Sequence, residues 1–308
     1  MYDLIIVGGG AAALSAGIYA GRKKIRVAIV AGEIGGQTAL QPEFHNYPGF
    51  VDVDGYKLIQ NMKRQVSGLS VDLKEPWMVA RIEALGAKGP FRVVSTKEET
   101  IECRAILITT GGKPKRLGVP GEEEFENNGV TYCATCDAPL FGGKVTAAIG
   151  GGNTGTEAAL LLAKYSPKVY LLHRGPTLKA DAVTQEQIAS EQNITVLYNA
   201  RTTEIIGKNG MVSGLRYADK DGKEQTLAVE GVFIAIGFSP NSALVKDLVT
   251  LNAFNEIVVD PKTNMTSLPG IFAAGDVTNI PYKQTVIAAG EAAKAVLAAH
   301  QWLLSQRS

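Results

Sequence analysis

The chain has 308 residues, 45% hydrophobic and 20% charged, enough for about two domains with cores of ordinary size. Its 31 basic and 30 acidic residues leave a formal charge of +1, which gives no footing for nucleic acid or an anionic membrane as partner. Three cysteines are too few for a disulfide-stapled secreted scaffold, and no apolar run reaches the roughly 18 residues of a membrane span.

The first predicted element is a short buried strand, YDLIIV, ending in the glycines of VGGG and continuing as the small-residue helix AALSAGIYAGR. The segment IRVAIVAGE follows as a second strand, completing a β-α-β unit of parallel-sheet type. This N-terminal segment carries Asp3, lacks a basic leader region and is broken by glycines, so no cleaved signal peptide is expected and the chain is expected to be soluble and cytoplasmic. Gly8, Gly10 and Ala13 form G-x-G-x-x-A in the required strand–helix setting. The first glycine permits the tight turn, and the second lets a pyrophosphate approach the backbone and rest on the helix N-terminus. Glu33 lies where an acid can hold a ribose hydroxyl, and Gln37 and Asn46 offer amides to the same ligand. A tight turn with no ligand is the competing reading of this loop.

Further on, FRVVSTKEETIECRAILITTGG alternates and then turns continuously apolar, as expected for a hairpin returning into the first sheet. Cys103 falls in this apolar strand and is expected in the core. Residues 111–125 are rich in Gly, Pro and charge and read as a crossing between domains. Next comes Cys133-Ala-Thr-Cys136, a spacing that allows a disulfide across one turn, followed by Asp137 as the nearest proton carrier. Three cysteines and scattered histidines at 45, 173 and 300 do not make a four-ligand zinc site, so no metal is expected.

A second β-α-β unit then repeats the first: KVTAAIGGG, NTGTEAALLLAKY, KVYLLHRG. Gly150, Gly152 and Gly155 give a full G-x-G-x-x-G. His173 and Arg174 end the following strand where an NAD site often carries an acid, and a cation there suits the 2′-phosphate of NADPH, with Lys179 as a second charge. Arg174 and Lys179 can equally be read as a solvated surface pair. Residues 234–241 form a second crossing, after which GIFAAGDVTN supplies a strand ending in Gly275-Asp276, able to aim a carboxylate at a ribitol chain, before an apolar helix. FAD is therefore the expected occupant of the first cradle. The fold expected is α/β, with two Rossmann-like dinucleotide-binding domains, the second inserted into the first: residues 1–113 and 241–308 for FAD, and 114–240 for the nicotinamide nucleotide and the dithiol. A flavin between a hydride donor and a disulfide is the link that two cradles and one dithiol require.

TYCATCDAPLFGGK, GGGNTGTEAA, GFSPN and GIFAAGDVTNIPYKQTVIAAGEAAKA resemble the low-molecular-weight thioredoxin reductase family nearly end to end. The C-terminal half also resembles the flavoprotein subunit of alkyl hydroperoxide reductase, whose extra N-terminal redox module is expected to be absent here. The resemblance implies that Cys136 faces the flavin, that Cys133 attacks the partner disulfide and that Asp137 acts as acid. It places FAD against the Gly8–Ala13 loop (Ala12 included), Glu33, Gly36, Gln37, Asn46, Gly275, Asp276, Gln284 and Thr285. It places the nicotinamide nucleotide against Gly150, Gly152, Asn153, Thr154, Gly155, Glu157, His173, Arg174 and Lys179. It further implies a homodimer, domain rotation, and thioredoxin or a thioredoxin-like protein as partner.

One departure stands out. The family carries HRR and, four residues later, another arginine; here the run is HRGPTLKA, with Gly175 and Lys179 in place of two guanidinium groups. Losing one bidentate contact to a phosphate costs about 1.5–3 kcal/mol, ten- to a hundredfold in affinity. NADH or reduced ferredoxin thus stand beside NADPH as donors. A dithiol oxidase and a non-catalytic flavin redox sensor are the remaining alternatives.

Overall fold

The computed structural model describes every residue except 42, 43, 45, 88, 307 and 308. The chain forms two compact units, Met1–Lys113 with Ser239–Ser308, and Pro114–Phe238.

The first unit opens with β1 (Tyr2–Val7), α1 (Ala11–Arg22), β2 (Val27–Val30), α2 (Gly36–Leu40), α3 (Gly55–Ser67) and β3 (Val71–Lys74). The antiparallel run β4 (Val79–Ala84), β5 (Phe91–Ser95) and β6 (Thr100–Ile108) follows. The chain crosses through β7 (Gly112–Pro114) into the second unit. That unit contains β8 (Val130–Thr131), α4 (Ala134–Asp137), β9 (Val145–Ile149), α5 (Asn153–Ala163), β10 (Lys168–Leu172), α6 (Ala182–Ser190) and β11 (Ile194–Leu197). It continues with β12 (Arg201–Lys208), β13 (Met211–Ala218), β14 (Glu224–Leu227) and β15 (Gly231–Ile234). The return strand β16 (Phe238–Pro240) pairs with β7, so the two crossings form one ribbon. Back in the first unit, β17 (Ile271–Ala273) precedes α7 (Thr285–Ser305).

The two units share one plan. In the first, the parallel order is β3-β2-β1-β6, with β17 beside β6. In the second it is β11-β10-β9-β15-β8. Each glycine loop follows the strand (β1 or β9) at which the chain order reverses, the place where open α/β sheets bind ligands.

Alternation within the strands supplies both faces of the first sheet. Leu4 and Ile6 of β1 join a core with Leu14, Ile59, Val296 and Leu303 from the helices. Ile5 and Val7 face the opposite core with Val93, Val245 and Ile257. In the second unit, Ala147 and Ile149 pack with Ile205, Val212 and Leu215 of the antiparallel strands, whereas Ala148 packs with Leu162 and Ile188 of the helices. No described helix is long and apolar enough to cross a membrane.

Candidate active site

The first cradle is built at the end of β1. Gly8 has φ +136°, and a Cβ there would sit 2.4 Å from the Thr109 carbonyl oxygen, so the tight turn admits only glycine. Gly9 is held as closely, since its Cβ would fall 2.0 Å from the Glu33 carbonyl oxygen. Gly10 is different: a Cβ there would meet nothing within 4 Å. The loop is therefore crowded on its protein side at Gly8 and Gly9 and open at Gly10. Gly10 also caps α1 with no side-chain hydrogen bond, leaving first-turn N–H groups without a side-chain acceptor. Ala12 and Ala13 are buried behind it.

Around this loop the structure gathers the residues expected for FAD. Gly36, at φ +58°, backs onto Gly10, and Gly35 donates its N–H to the Gly9 carbonyl at 2.9 Å. Glu33 and Gln37 are exposed on the same turn. The Asn46 side chain donates to Gln284 at 3.3 Å, and the Thr38 and Thr285 hydroxyls lie 3.5 Å apart. Gly275, φ +78°, fits between Ala12 and Ala288, with Asp276 as the next residue. Burial pushes the Asp276 carboxyl above the usual aspartate value, and Lys283 draws it part of the way back. Lys283 itself is tied to Glu256 at 2.9 Å. Asp276 is half-buried and shows no hydrogen bond among the described residues, so it is an acceptor with capacity for ligand hydroxyls. This donor and acceptor set fits FAD.

The second cradle repeats the pattern. Gly150 has φ +139° with its Cβ position 2.3 Å from the Ala235 carbonyl, whereas Gly152 opens onto free space and caps α5 without a side-chain bond. Gly155 packs on Gly150, where a Cβ would strike the carbonyl oxygen at 2.2 Å. The 173–181 segment folds over this loop, with Lys179 N–H on the Gly151 carbonyl at 2.6 Å. Asn153 is committed within the protein, exchanging hydrogen bonds of 3.0 and 2.8 Å with Asp181. Thr154, Glu157, Arg174 and Lys179 are exposed, and neither cation has an ion-pair partner among the described residues.

His173 departs from the expected cation. It is 8% exposed, its ring lies 2.3 Å from a Cβ position at Gly151, and its Nε2 lies 2.8 Å from one at Gly175. Burial lowers its pKa, a backbone hydrogen bond at Thr177 opposes that, and Lys179 and Arg174 lower it further, so the ring is neutral. Nε2 has no hydrogen-bond partner among the described residues. His173 is a wedge, and the cationic side of this site rests on Arg174 and Lys179. His45 lies outside the described residues.

The dithiol also belongs to the second unit, where α4 packs on α5. Cys133 and Cys136 form a disulfide with Cα atoms 5.3 Å apart. Cys133 caps α4, its Sγ accepting the Cys136 N–H at 3.2 Å. Asp137 is buried, and its Oδ2 accepts the Thr131 hydroxyl. On the other side, Tyr132 donates to Glu122 at 2.9 Å and accepts from Arg116 at 2.9 Å. Glu122, 1% exposed, also takes the N–H groups of Leu117 and Gly118 at 3.0 and 2.7 Å. Cys103 is fully buried in β6, and burial pushes its thiol far up, which removes it from thiolate chemistry.

Sequence reading missed Gly9, Thr109, Glu122 and Thr131. The triple glycine was a visible hint of the first. The others carry no local signal, because each acts on a partner that folding supplies.

Residues 2–296 match the family described as pyridine nucleotide-disulphide oxidoreductase. An alkyl hydroperoxide reductase subunit of Pseudomonas putida is 42% identical over 307 residues, which span 98% of this chain and 58% of that protein. A protein of Bacillus subtilis (strain 168) named NADH dehydrogenase is 39% identical over 98% of this chain and 59% of its own. The chain thus spans little more than half the length of these relatives. Among solved structures, a thioredoxin reductase from Streptococcus pyogenes MGAS5005 superposes with a TM-score of 0.92 at 33% identity, covering 99% of both chains.

Proposed function

The chain belongs to the pyridine nucleotide-disulphide oxidoreductase family, and from that premise we propose that it is an FAD-dependent disulfide reductase acting on thioredoxin or a thioredoxin-like protein. The observation that carries this reading is the pairing of two outwardly open glycine cradles with a Cys133–Cys136 disulfide in the second unit. The first unit is the FAD-binding domain. Its Gly8–Gly10 backbone and α1 N-terminus bind the pyrophosphate, and Asp276 accepts hydroxyl hydrogens. The second is the nicotinamide-binding domain, holding the nucleotide on Gly150, Gly152 and the start of α5. When bound, FAD supplies two-electron exchange between a hydride donor and a disulfide.

The chain's own groups do the rest. The Cys133 sulfur, which in the disulfide form sits at the start of α4 and accepts the Cys136 N–H, is the nucleophile of the reduced protein. It attacks one sulfur of the partner disulfide; that bond breaks, and Asp137 gives the leaving sulfur a proton. Cys136 then passes its proton to the Asp137 carboxylate and attacks Cys133, so that the second partner sulfur leaves as thiolate, takes a proton from Asp137 or water, and the internal disulfide is restored. The dithiol loses the two electrons that the partner disulfide gains. Cys136→Ser should abolish reduction of a protein disulfide while leaving flavin binding intact; undiminished turnover would remove the dithiol from the mechanism.

NADPH and NADH both fit the second cradle. Arg174 and Lys179 favour a 2′-phosphate by charge, whereas neutral His173 and Gly175 leave that pocket short of cations, which favours NADH. Anaerobic bleaching of the oxidised flavin near 450 nm, with each donor in turn, decides between them. Failure of both donors would point to ferredoxin or a small dithiol instead. The name of the Pseudomonas putida relative supports a second partner, a protein that reduces alkyl hydroperoxides.

A further inference from the structure

We propose that Thr131 is a positioning residue for the dithiol chemistry, its hydroxyl fixing the Asp137 carboxyl against the turn that carries Cys133. The hydroxyl makes two contacts at once: it donates to Asp137 Oδ2 and accepts the Cys133 N–H at 3.3 Å. One side-chain oxygen at the end of β8 therefore ties the attacking cysteine's backbone to the carboxyl four residues later.

The environment makes this contact count. Thr131 and Asp137 are each 9% exposed, and their neighbours Val130 and Ala138 are 1% and 0% exposed. A hydrogen bond to a carboxyl that water barely reaches is stronger than one on the surface, and its loss is not made good by solvent. Asp137 also donates its backbone N–H to the Cys133 carbonyl at 3.1 Å, so its main chain is already anchored. What Thr131 adds is the orientation of the carboxyl plane. Valine has the same shape without the hydroxyl, and serine keeps the hydroxyl without the methyl.

The inference rests on the reading of Asp137 as the proton donor, and the experiment separates the two. The flavin-loaded full chain is chemically reduced, desalted and mixed with one of two disulfides. With oxidised glutathione, an alkanethiolate must leave and needs a proton; with dithiobis(nitrobenzoate), the leaving thiolate departs unprotonated. Thr131→Val should slow the glutathione reaction about tenfold more than the nitrobenzoate reaction. Thr131→Ser should restore the rate, and Thr131→Val should add nothing on an Asp137→Asn background. If Thr131→Val does not retain flavin, Thr131→Ala takes its place beside the serine variant. Equal slowing with both disulfides, no slowing with either, or a full further loss on the Asp137→Asn background would overturn the role given to Thr131. An Asp137→Asn chain that reduces glutathione at the full rate would instead sink the assignment of Asp137 itself.

Discussion

At the scale of single residues, the two kinds of glycine in each cradle have separable roles. Gly10 has φ −83° and open space at its Cβ position, so Gly10→Ala should fold normally yet lose FAD, because the methyl occupies the phosphate's approach. Gly8→Ala instead forces an L-residue to φ +136° against the Thr109 carbonyl and should cost about 2–3 kcal/mol of stability before any ligand is considered. Thermal melts of the apo-proteins beside FAD titrations will separate the two effects, and a Gly10→Ala protein that keeps its flavin would refute the assignment. Asp276 gives the converse case. Burial raises its folded-state pKa, so between the unfolded value near 3.8 and that raised value the folded protein binds more protons, and stability falls as pH rises through the window. At neutral pH its charge is a burden on the apo-protein. Asp276→Asn should therefore melt no lower than wild type without cofactor, while binding FAD about tenfold more weakly.

At the scale of elements, the crossing into the second unit is fastened by side chains. Glu122 gathers the Leu117 and Gly118 N–H groups and the Tyr132 hydroxyl, while Arg116 spans Tyr132 and Glu126. The segment after β7 is thereby locked to the residue preceding Cys133. Glu122→Ala removes the acceptor of three donors at once and should destabilise the protein by about 2–4 kcal/mol, read from urea unfolding. A value within 0.5 kcal/mol of wild type, roughly the scatter of surface substitutions, would show that the network holds nothing. The sequence marked this stretch only as a Gly-Pro-rich crossing with charges, since a buried glutamate looks like an exposed one until its neighbours are known. The antiparallel strands β12 to β14 also escaped the sequence reading. Their alternation is half polar, as in RTTEIIGK, and short strands of that kind resemble loops until a partner covers one face.

At the scale of the whole molecule, one plan is used twice, with different ligands implied by small departures from it. The two cradles should fail independently. Gly152→Ala should retain bound flavin while losing its bleaching by a nicotinamide donor, whereas Gly10→Ala should lose both because no flavin remains. Absorbance spectra before and after anaerobic donor addition distinguish these outcomes, and loss of flavin in Gly152→Ala would show that the cradles have been assigned the wrong way round.

The paired β-α-β units, the turn glycines at 8, 10, 150 and 152, the dithiol, and Asp276 at a strand end are all legible in the order of the residues. These are local facts: a turn needing positive φ or a backbone that must be approached dictates glycine within a few residues. That His173 is a neutral wedge emerges only on folding, because its burial depends on the missing side chains of Gly151 and Gly175. The placing of Thr131 and Glu122 beside the dithiol is of the same kind. Such roles belong to hydrogen bonds and burial created when separate stretches of chain meet, and those energies are not written in any one of the stretches.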